Sequence, residues 1–339
     1  MNAQRRIKVS DASAIGVARR TATQVALDAG ADETQSGRVA IVASELATNL
    51  VRHAGRGELL VQALTLEGGR YLELLAVDSG PGMRDPQRCL SDGFSTGGTS
   101  GNGLGAVRRM SQLFDVYSLP ERGTAIVSRV AIGNIPRLQP QPAAAEMEFG
   151  AVNVALEGET VCGDAWQLAH NDTGLALIVA DGLGHGLCAH EASIQALAVF
   201  AENPWAAPTM LLGQAHDRMS STRGGSVACA VIDAQRGRLS YAGVGNISGA
   251  LVGGARGQGL VSHNGTVGAQ MRRLQGFDYA WSREQLLVMH SDGVSARWHL
   301  SDYPGLGSCH PALIAAVLYR DHSRPRDDAT IVVARLGRA

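Results

Sequence analysis

The 339-residue chain contains one lysine, Lys8. A G-x-x-x-x-G-K-[ST] phosphate loop, which needs a lysine to reach the phosphates, is therefore absent. Five cysteines (Cys89, Cys162, Cys188, Cys229, Cys309) are scattered, odd in number and lack a C-x-x-C pair. This argues against a disulfide scaffold or a zinc ribbon and for reduced thiols. A C-x5-R signature is missing too: Ile194 and Gln235 stand where Cys188 and Cys229 would need an arginine. Cysteine-nucleophile chemistry is thereby disfavoured. No apolar run approaches the ~20 residues of a membrane span. The first residues, MNAQRRIKVSDAS, hold no apolar signal core, so a cytoplasmic protein without a membrane partner is expected. Lys plus Arg number 30 and Asp plus Glu 31, for a net charge of −1. That balance excludes a whole-chain nucleic-acid or membrane-surface binder.

What is present is apolar and glycine-rich. Hydrophobic residues make up 45% of the chain, enough for sizeable cores, and the length suits about two domains. The 42 glycines exceed the ordinary ~7% share and point to turns and close backbone approaches. The clearest break is NIPRLQPQPAAAE, residues 134–146, with Pro136, Pro140 and Pro142. Proline fixes φ and removes donors, so this reads as an extended linker between a domain at 1–133 and one at 147–339. No internal repeat is present. Before the linker, helical spacing covers 11–29 and 35–53. Strand-like runs follow at 59–66, 71–78 and 124–131, with a glycine-rich stretch and a helix at 105–114 between the last two. This pattern predicts an α+β layer with helices on one face of a mixed sheet. After the linker, strands are expected at 149–156, 175–180, 226–232, 239–244, 248–252, 286–290 and 330–335. Helices are expected at 187–201, 207–221 and 311–320. Two sheets flanked by helices would fit.

Three segments of the first half carry chemistry. In SELATNLVRHA, Glu45, Asn49 and Arg52/His53 recur at helical spacing, so one face bears an acid, an amide and a cation. The amide oxygen suits Mg²⁺, and Glu45 can take a proton from an attacking hydroxyl. In VDSGPGM, Asp78 ends an apolar strand and is followed by Gly80 and Gly82. A carboxylate there can accept from an exocyclic amine. In FSTGGTSGNGLGAVRRM, glycines at 97, 98, 101, 103 and 105 free backbone N–H groups for phosphates, with a helix start close behind. Each segment alone reads equally as a polar helix face, a strand-ending turn or a surface loop.

Together, in this order, they resemble the GHKL ATP-binding family, with its N-box (Glu45, Asn49), D-x-G-x-G box (Asp78, Gly80, Gly82) and G-x-G-x-G box (Gly101, Gly103, Gly105). Gly123-Thr124 is similar to that family's last strand, where the threonine lies near the adenine. Residues 5–133 resemble its compact anti-sigma-factor branch, the RsbT/RsbW-like serine kinases. The resemblance implies a two-layer α/β sandwich of the Bergerat type, with Asn49 holding Mg²⁺, Asp78 reading adenine and Glu45 as general base. Sensor histidine kinases share the site but need a phospho-acceptor helix pair, for which a first helix beginning by Asp11 leaves no room.

The second half carries four acidic segments: VCGDAW (Asp164), LALIVADGLGHG (Asp181), LLVMHSDGV (Asp292) and RPRDDATIVVAR (Asp327, Asp328). Strand-end carboxylates converging on one crevice repel unless cations sit between them, and oxygen-only ligation suits Mg²⁺ or Mn²⁺. Any one D-G pair alone is equally a hairpin turn. As a set they resemble the type 2C metal-dependent serine/threonine phosphatases, in their bacterial SpoIIE/RsbX-like branch, over about 147–337. The resemblance implies a four-layer α-β-β-α sandwich and two metal ions. Asp181 would bridge them, Asp292 and Asp327 would complete one site, and Asp164 with the Gly182 carbonyl would serve the other. A metal-activated water would attack phosphorus in line. Gly163-Asp164 stands where eukaryotic members carry Glu-Asp, and their phosphate-binding arginine has no counterpart that can be placed here. His185 and His290 lie beside the acid motifs. Packed neutral histidines are commoner than proton donors, so neither is taken as catalytic.

The combined expectation is a bifunctional signalling protein. Its first half would use Mg-ATP to phosphorylate serine or threonine on a partner. Its second half would remove phosphate from phosphoserine or phosphothreonine. By resemblance the partner is a STAS-domain antagonist in a partner-switching or stressosome-like pathway. The alternative is a phosphatase alone, its first half an ATP-sensing or partner-sequestering module.

Overall fold

A computed structural model describes residues 3–66, 69–86, 103–133, 147–253 and 257–336. The linker at 134–146 and Gly101 lie outside the described residues. The chain divides into two compact units.

One unit runs from Gln4 through the fifth strand and takes in Ser308–Arg320 as well. Its sheet has the order β1-β2-β3-β5-β4, from β1 (Arg5–Val9), β2 (Gly57–Leu66), β3 (Gly69–Val77), β4 (Leu113–Leu119) and β5 (Gly123–Ile132). All its pairings are antiparallel, which corrects the expected mixed sheet. Helices α1 (Ala12–Asp28), α2 (Glu33–Asn49) and α3 (Gly103–Met110) belong to this unit. Asp11 caps α1 by accepting from Ser13 N at 2.8 Å. Asp32 and Gln35 form a reciprocal capping box on α2. A stripe of buried alanines, Ala14, Ala18, Ala22 and Ala26, lets α1 lie close against its neighbours. It joins Val39, Val42 and Leu46 of α2 and Leu59, Val61, Leu72 and Leu74 of the sheet in one core.

The sheet's other face is buried too, at Leu60, Leu64, Leu75, Val77 and Val127. Helix α6 (Pro311–His322) bears on that face. His310 N donates to Asp115 of β4 at 2.9 Å, and Tyr319 Oη donates to Glu58 of β2 at 2.9 Å. Residues Pro311 to Tyr319 are buried without a break. A helix apolar on all sides is a core helix rather than a surface one.

The other unit stacks two five-stranded sheets. One has the order β13-β10-β9-β8-β7, the other β12-β11-β14-β15-β6. The first uses β7 (Asp164–Asn171), β8 (Gly174–Gly182), β9 (Gly225–Asp233), β10 (Arg238–Val244) and β13 (Phe277–Ala280). The second uses β6 (Met147–Val154), β11 (Ser248–Val252), β12 (Gln258–Leu260), β14 (Leu286–His290) and β15 (Ala329–Leu336). Alternate residues of both sheets meet in one core, among them Leu177, Ala230, Tyr241, Met289 and Val332. The opposite residues of β8, Ala176, Ile178 and Ala180, face α4 (Leu187–Glu202) and α5 (Pro208–Met219) in a second core. The architecture is α+β in both units, as the element pattern implied.

Several elements depart from the sequence reading, the short strands β12 and β13 and the π turn Leu50–Ala54 among them. The helix expected at 105–114 stops at Met110, where Ser111 turns its hydroxyl back to Val107 O, and β4 begins at Leu113. Strand β1, RRIKV, was not read as a strand because its charges mask a short alternation. Strand β7 was not read either: its sequence, DAWQLAHN, opens with a carboxylate instead of a turn residue.

Candidate functional site: two acid- and glycine-lined centres

In the first unit, Glu45 and Asn49 lie one turn apart on α2, both half-buried. Glu45 faces the start of α3: a Cβ added at Gly103 would meet its Oε2 at 2.8 Å. The Asn49 amide nitrogen is buried and has no hydrogen-bond partner. Such a group lacks the compensation that buried polar atoms normally find, so a ligand atom fits there. Past Asn49 the helix widens into a π turn, Leu50–Ala54. The wide turn brings Ala54 against Gly80, whose added Cβ would strike Ala54 Cα at 2.7 Å.

Asp78 follows β3 directly. Its N–H donates to Thr124 O at 2.9 Å. Its Oδ1 accepts from Gly80 N at 2.8 Å and from Thr124 N at 3.2 Å. Among the described residues these acceptances fall on Oδ1, leaving Oδ2 to a ligand donor. Burial pushes the Asp78 carboxyl up, while the two backbone donors and the charges of Arg320 and His53 pull it down. Gly82, at φ 66°, would place a Cβ 2.0 Å from Leu119 O, and Gly123, at φ 81°, 2.0 Å from Asp78 O. Neither position admits a side chain. Thr124 shares a 2.9 Å hydroxyl contact with Ser118. Gly105 is buried inside α3.

In the second unit, Asp164 opens β7 directly across from Asp181 on β8. Like charges directly opposite on a sheet are destabilising. Asp292 follows β14 and Asp327 precedes β15. Burial, and then the charges of Asp164, Asp292 and Asp327, push the Asp181 carboxyl well above the ordinary range. The Asp164 carboxyl rises mainly through burial and Asp327 through burial and Asp292. These four carboxylates thus face one another electrostatically. The Asp164 Oδ2 atom is buried without a partner. Among the described residues no group of three or more His, Cys, Asp or Glu side chains is placed to hold a metal ion, so no protein-only cage is present. A hard cation that keeps several waters needs no such cage, and an oxygen-only set with an orphaned carboxylate oxygen suits one. Gly182 closes β8, and its added Cβ would lie 1.9 Å from Ala189 O.

Three further residues find roles here. Asp328 is buried; its two oxygens accept from Leu156 N at 2.7 Å and Gly163 N at 2.9 Å, fixing the loop that delivers Asp164. A Cβ at Gly163 would come within 2.8 Å of both Ala189 Cβ and Asp328 Oδ2, so a bulkier residue there is excluded. Asn246 Nδ2 donates to Asp292 Oδ2 at 2.6 Å, a contact that no motif spacing announces. His290 is buried, with Nδ1 on Ser291 O at 2.9 Å and Nε2 accepting from Trp298 Nε1 at 3.2 Å, and burial lowers its pKa. Both ring nitrogens are used in packing. His185 is exposed and pairs with Glu159 at 2.6 Å.

Comparison with known proteins gives one match to each half of the chain. A histidine kinase-like ATPase domain matches residues 9–129, and stage II sporulation protein E (SpoIIE) matches residues 171–337. The serine/threonine-protein kinase RsbT of Bacillus subtilis (strain 168) is 33% identical over 126 residues, 37% of this chain and 95% of that protein. The phosphoserine phosphatase RsbX of the same organism is 31% identical over 93 residues, 27% of this chain and 46% of that protein. A crystal structure of RsbX in complex with magnesium shares the fold at TM-score 0.51 and 18% identity, covering 56% of this chain and 96% of that one. Among the described residues no helix is long and apolar enough to cross a membrane.

Proposed function

Because the chain belongs, through residues 9–129, to the RsbT-type histidine kinase-like ATPase family and matches SpoIIE over residues 171–337, we propose that it both adds and removes phosphate on a partner protein. The two activities divide at residues 134–146. The observation that carries the phosphatase half is the buried, partnerless Asp164 Oδ2 opposite Asp181, with Asp292 and Asp327 electrostatically coupled to them. Asp164, Asp181, Asp292, Asp327 and the Gly182 carbonyl would hold two Mg²⁺ or Mn²⁺ ions. Bound there, the ions supply an acidified water for in-line attack on a phosphoserine or phosphothreonine phosphorus. The chain's own work would be to bring these oxygen donors to one crevice. Asp328 fixes the Asp164 loop from behind, and Asn246 orients Asp292.

In the kinase half, Asp78, Gly80, Gly82 and Thr124 receive the adenine. Gly101, Gly103 and Gly105 would open the backbone toward the phosphates, and the Asn49 amide oxygen would hold the accompanying Mg²⁺. Glu45 accepts the proton of a partner serine or threonine hydroxyl as its oxygen bonds to the γ-phosphorus and ADP leaves. The Glu45 carboxylate against Gly103 supports a transferase over a module that only binds nucleotide, which would need no base there. The partner is a STAS-domain protein of the partner-switching kind, in keeping with the RsbT likeness. Joining opposed activities on one chain raises their effective concentration at a shared partner.

Two assays test this. Mn²⁺-dependent hydrolysis of a phosphoserine peptide is expected to fall by several orders of magnitude in Asp181→Asn. Equal rates would remove the phosphatase assignment. Transfer from labelled ATP to a STAS-domain partner is expected to be lost in Glu45→Ala, and intact transfer would remove the base assignment.

A further inference from the structure

The main chain at Asp78 is held from an unexpected direction. Arg320, the last residue of the Ser308–Arg320 segment that belongs to the first compact unit, donates from Nη1 to Asp78 O at 3.0 Å. In sequence Arg320 falls inside the stretch matched by SpoIIE, far beyond the ATPase match that ends at residue 129. The same carbonyl oxygen is the atom that a Cβ at Gly123 would strike at 2.0 Å. Together with the Asp78 N–H to Thr124 O bond, the guanidinium holds the main chain on both sides of the Asp78 Cα. Helix α6 fixes the guanidinium in turn through its buried run, Pro311 to Tyr319, and through Tyr319 on Glu58.

We propose that Arg320 is a positioning residue for nucleotide selection: it sets the Asp78 peptide so that the free Oδ2 faces the six-position of a purine. An adenine presents a donor amine there, and a guanine presents an acceptor oxygen that the carboxylate repels. The preference for adenine nucleotides over guanine nucleotides then depends on the direction of one oxygen, which Arg320 fixes from the far end of the sequence. This rests on the assignment of Asp78 to the adenine.

The test measures Mg-ATP and Mg-GTP affinity of the full chain by titration calorimetry. The variants are Arg320→Ala, Arg320→Met, Arg320→Lys and Asp78→Asn, with thermal melting recorded alongside. The ATP:GTP affinity ratio is expected to fall about ten-fold in Arg320→Ala, the size of a charge-assisted hydrogen bond. Arg320→Met keeps the apolar stem, so it carries the test if the alanine variant fails to fold, and the same fall is expected. Arg320→Lys restores a donor and is expected to recover most of the ratio. An unchanged ratio in Arg320→Met, with the ratio lost in Asp78→Asn, overturns the role of Arg320 alone. Equal losses of ATP and GTP affinity in the Arg320 variants mark a merely structural part and overturn it as well. A ratio unchanged in Asp78→Asn overturns the adenine assignment beneath it.

Discussion

Replacing Asp181 by asparagine is expected to stabilise the metal-free protein while removing its phosphatase activity. Asp181 sits across from Asp164 and close to Asp292 and Asp327, and burial and these charges raise its pKa above the ordinary 3.8. Between 3.8 and the raised folded value, the folded state holds more protons than the unfolded state. Stability therefore falls as pH rises through that window. The penalty is absent below 3.8 and reaches full size above the folded pKa. Asparagine is close to a permanent form of the protonated side chain, so it removes the penalty. Counting about two pKa units of it, to allow for solvent at the open side of the crevice, gives about 3 kcal/mol near neutral pH. For a unit of this size that is a rise in Tm of roughly 5–10 °C. The assay is calorimetric melting of chelator-treated protein at pH 5 and pH 8. The gain from Asp181→Asn should be larger at pH 8. Mn²⁺ at about one hundred times its Kd should raise the Tm of the parent by binding linkage, worth about 2.7 kcal/mol, and do far less for the variant. An unchanged or lowered metal-free Tm in Asp181→Asn, or a gain that is equal at both pH values, would refute the electrostatic reasoning.

Asp328→Ala should cost about 2–5 kcal/mol in urea unfolding, since it orphans the buried Leu156 and Gly163 N–H groups. Asp328→Asn keeps one acceptor and should cost clearly less. Gly123→Ala forces a Cβ to within 2.0 Å of Asp78 O at a positive φ, so calorimetric ATP binding should vanish, with a loss of about 1–3 kcal/mol in stability. Asn246→Ala should leave Tm nearly unchanged, because the residue is exposed, yet raise the Mn²⁺ concentration needed for half-maximal phosphatase rate.

Most strands legible in the sequence are buried on both faces, and β11, with alternating burial, is legible too. GELLVQALTL and GRYLELLAV read as strands because their apolar runs are bounded by glycines, and GLALIVADG reads so for the same reason. Strand β7 is opaque because it opens on a carboxylate, Asp164, a residue type that strand propensity disfavours. The acid segments were legible as a set because D-G at strand ends recurs in order. The contacts that steady them were not: Asn246 on Asp292 and Asp328 on Gly163 join residues 46 and 165 positions apart, and nothing in a one-dimensional pattern reports such pairing. Helix α6 shows the same limit. PALIAAVLY announces a buried helix, but not which sheet it will cover.

That helix has a consequence for how the molecule is made. A ribosome finishes β5 at Ile132 but does not emit Tyr319 and Arg320 until the rest of the intervening chain has been translated. At ~5–20 residues per second the gap lasts on the order of 10–40 s. Through that interval the apolar back of the nucleotide-binding sheet waits without its cover, exposed to chaperones and proteases. A message truncated after the proline-rich junction would yield a first half whose apolar sheet face lacks the cover that Pro311–Tyr319 gives it.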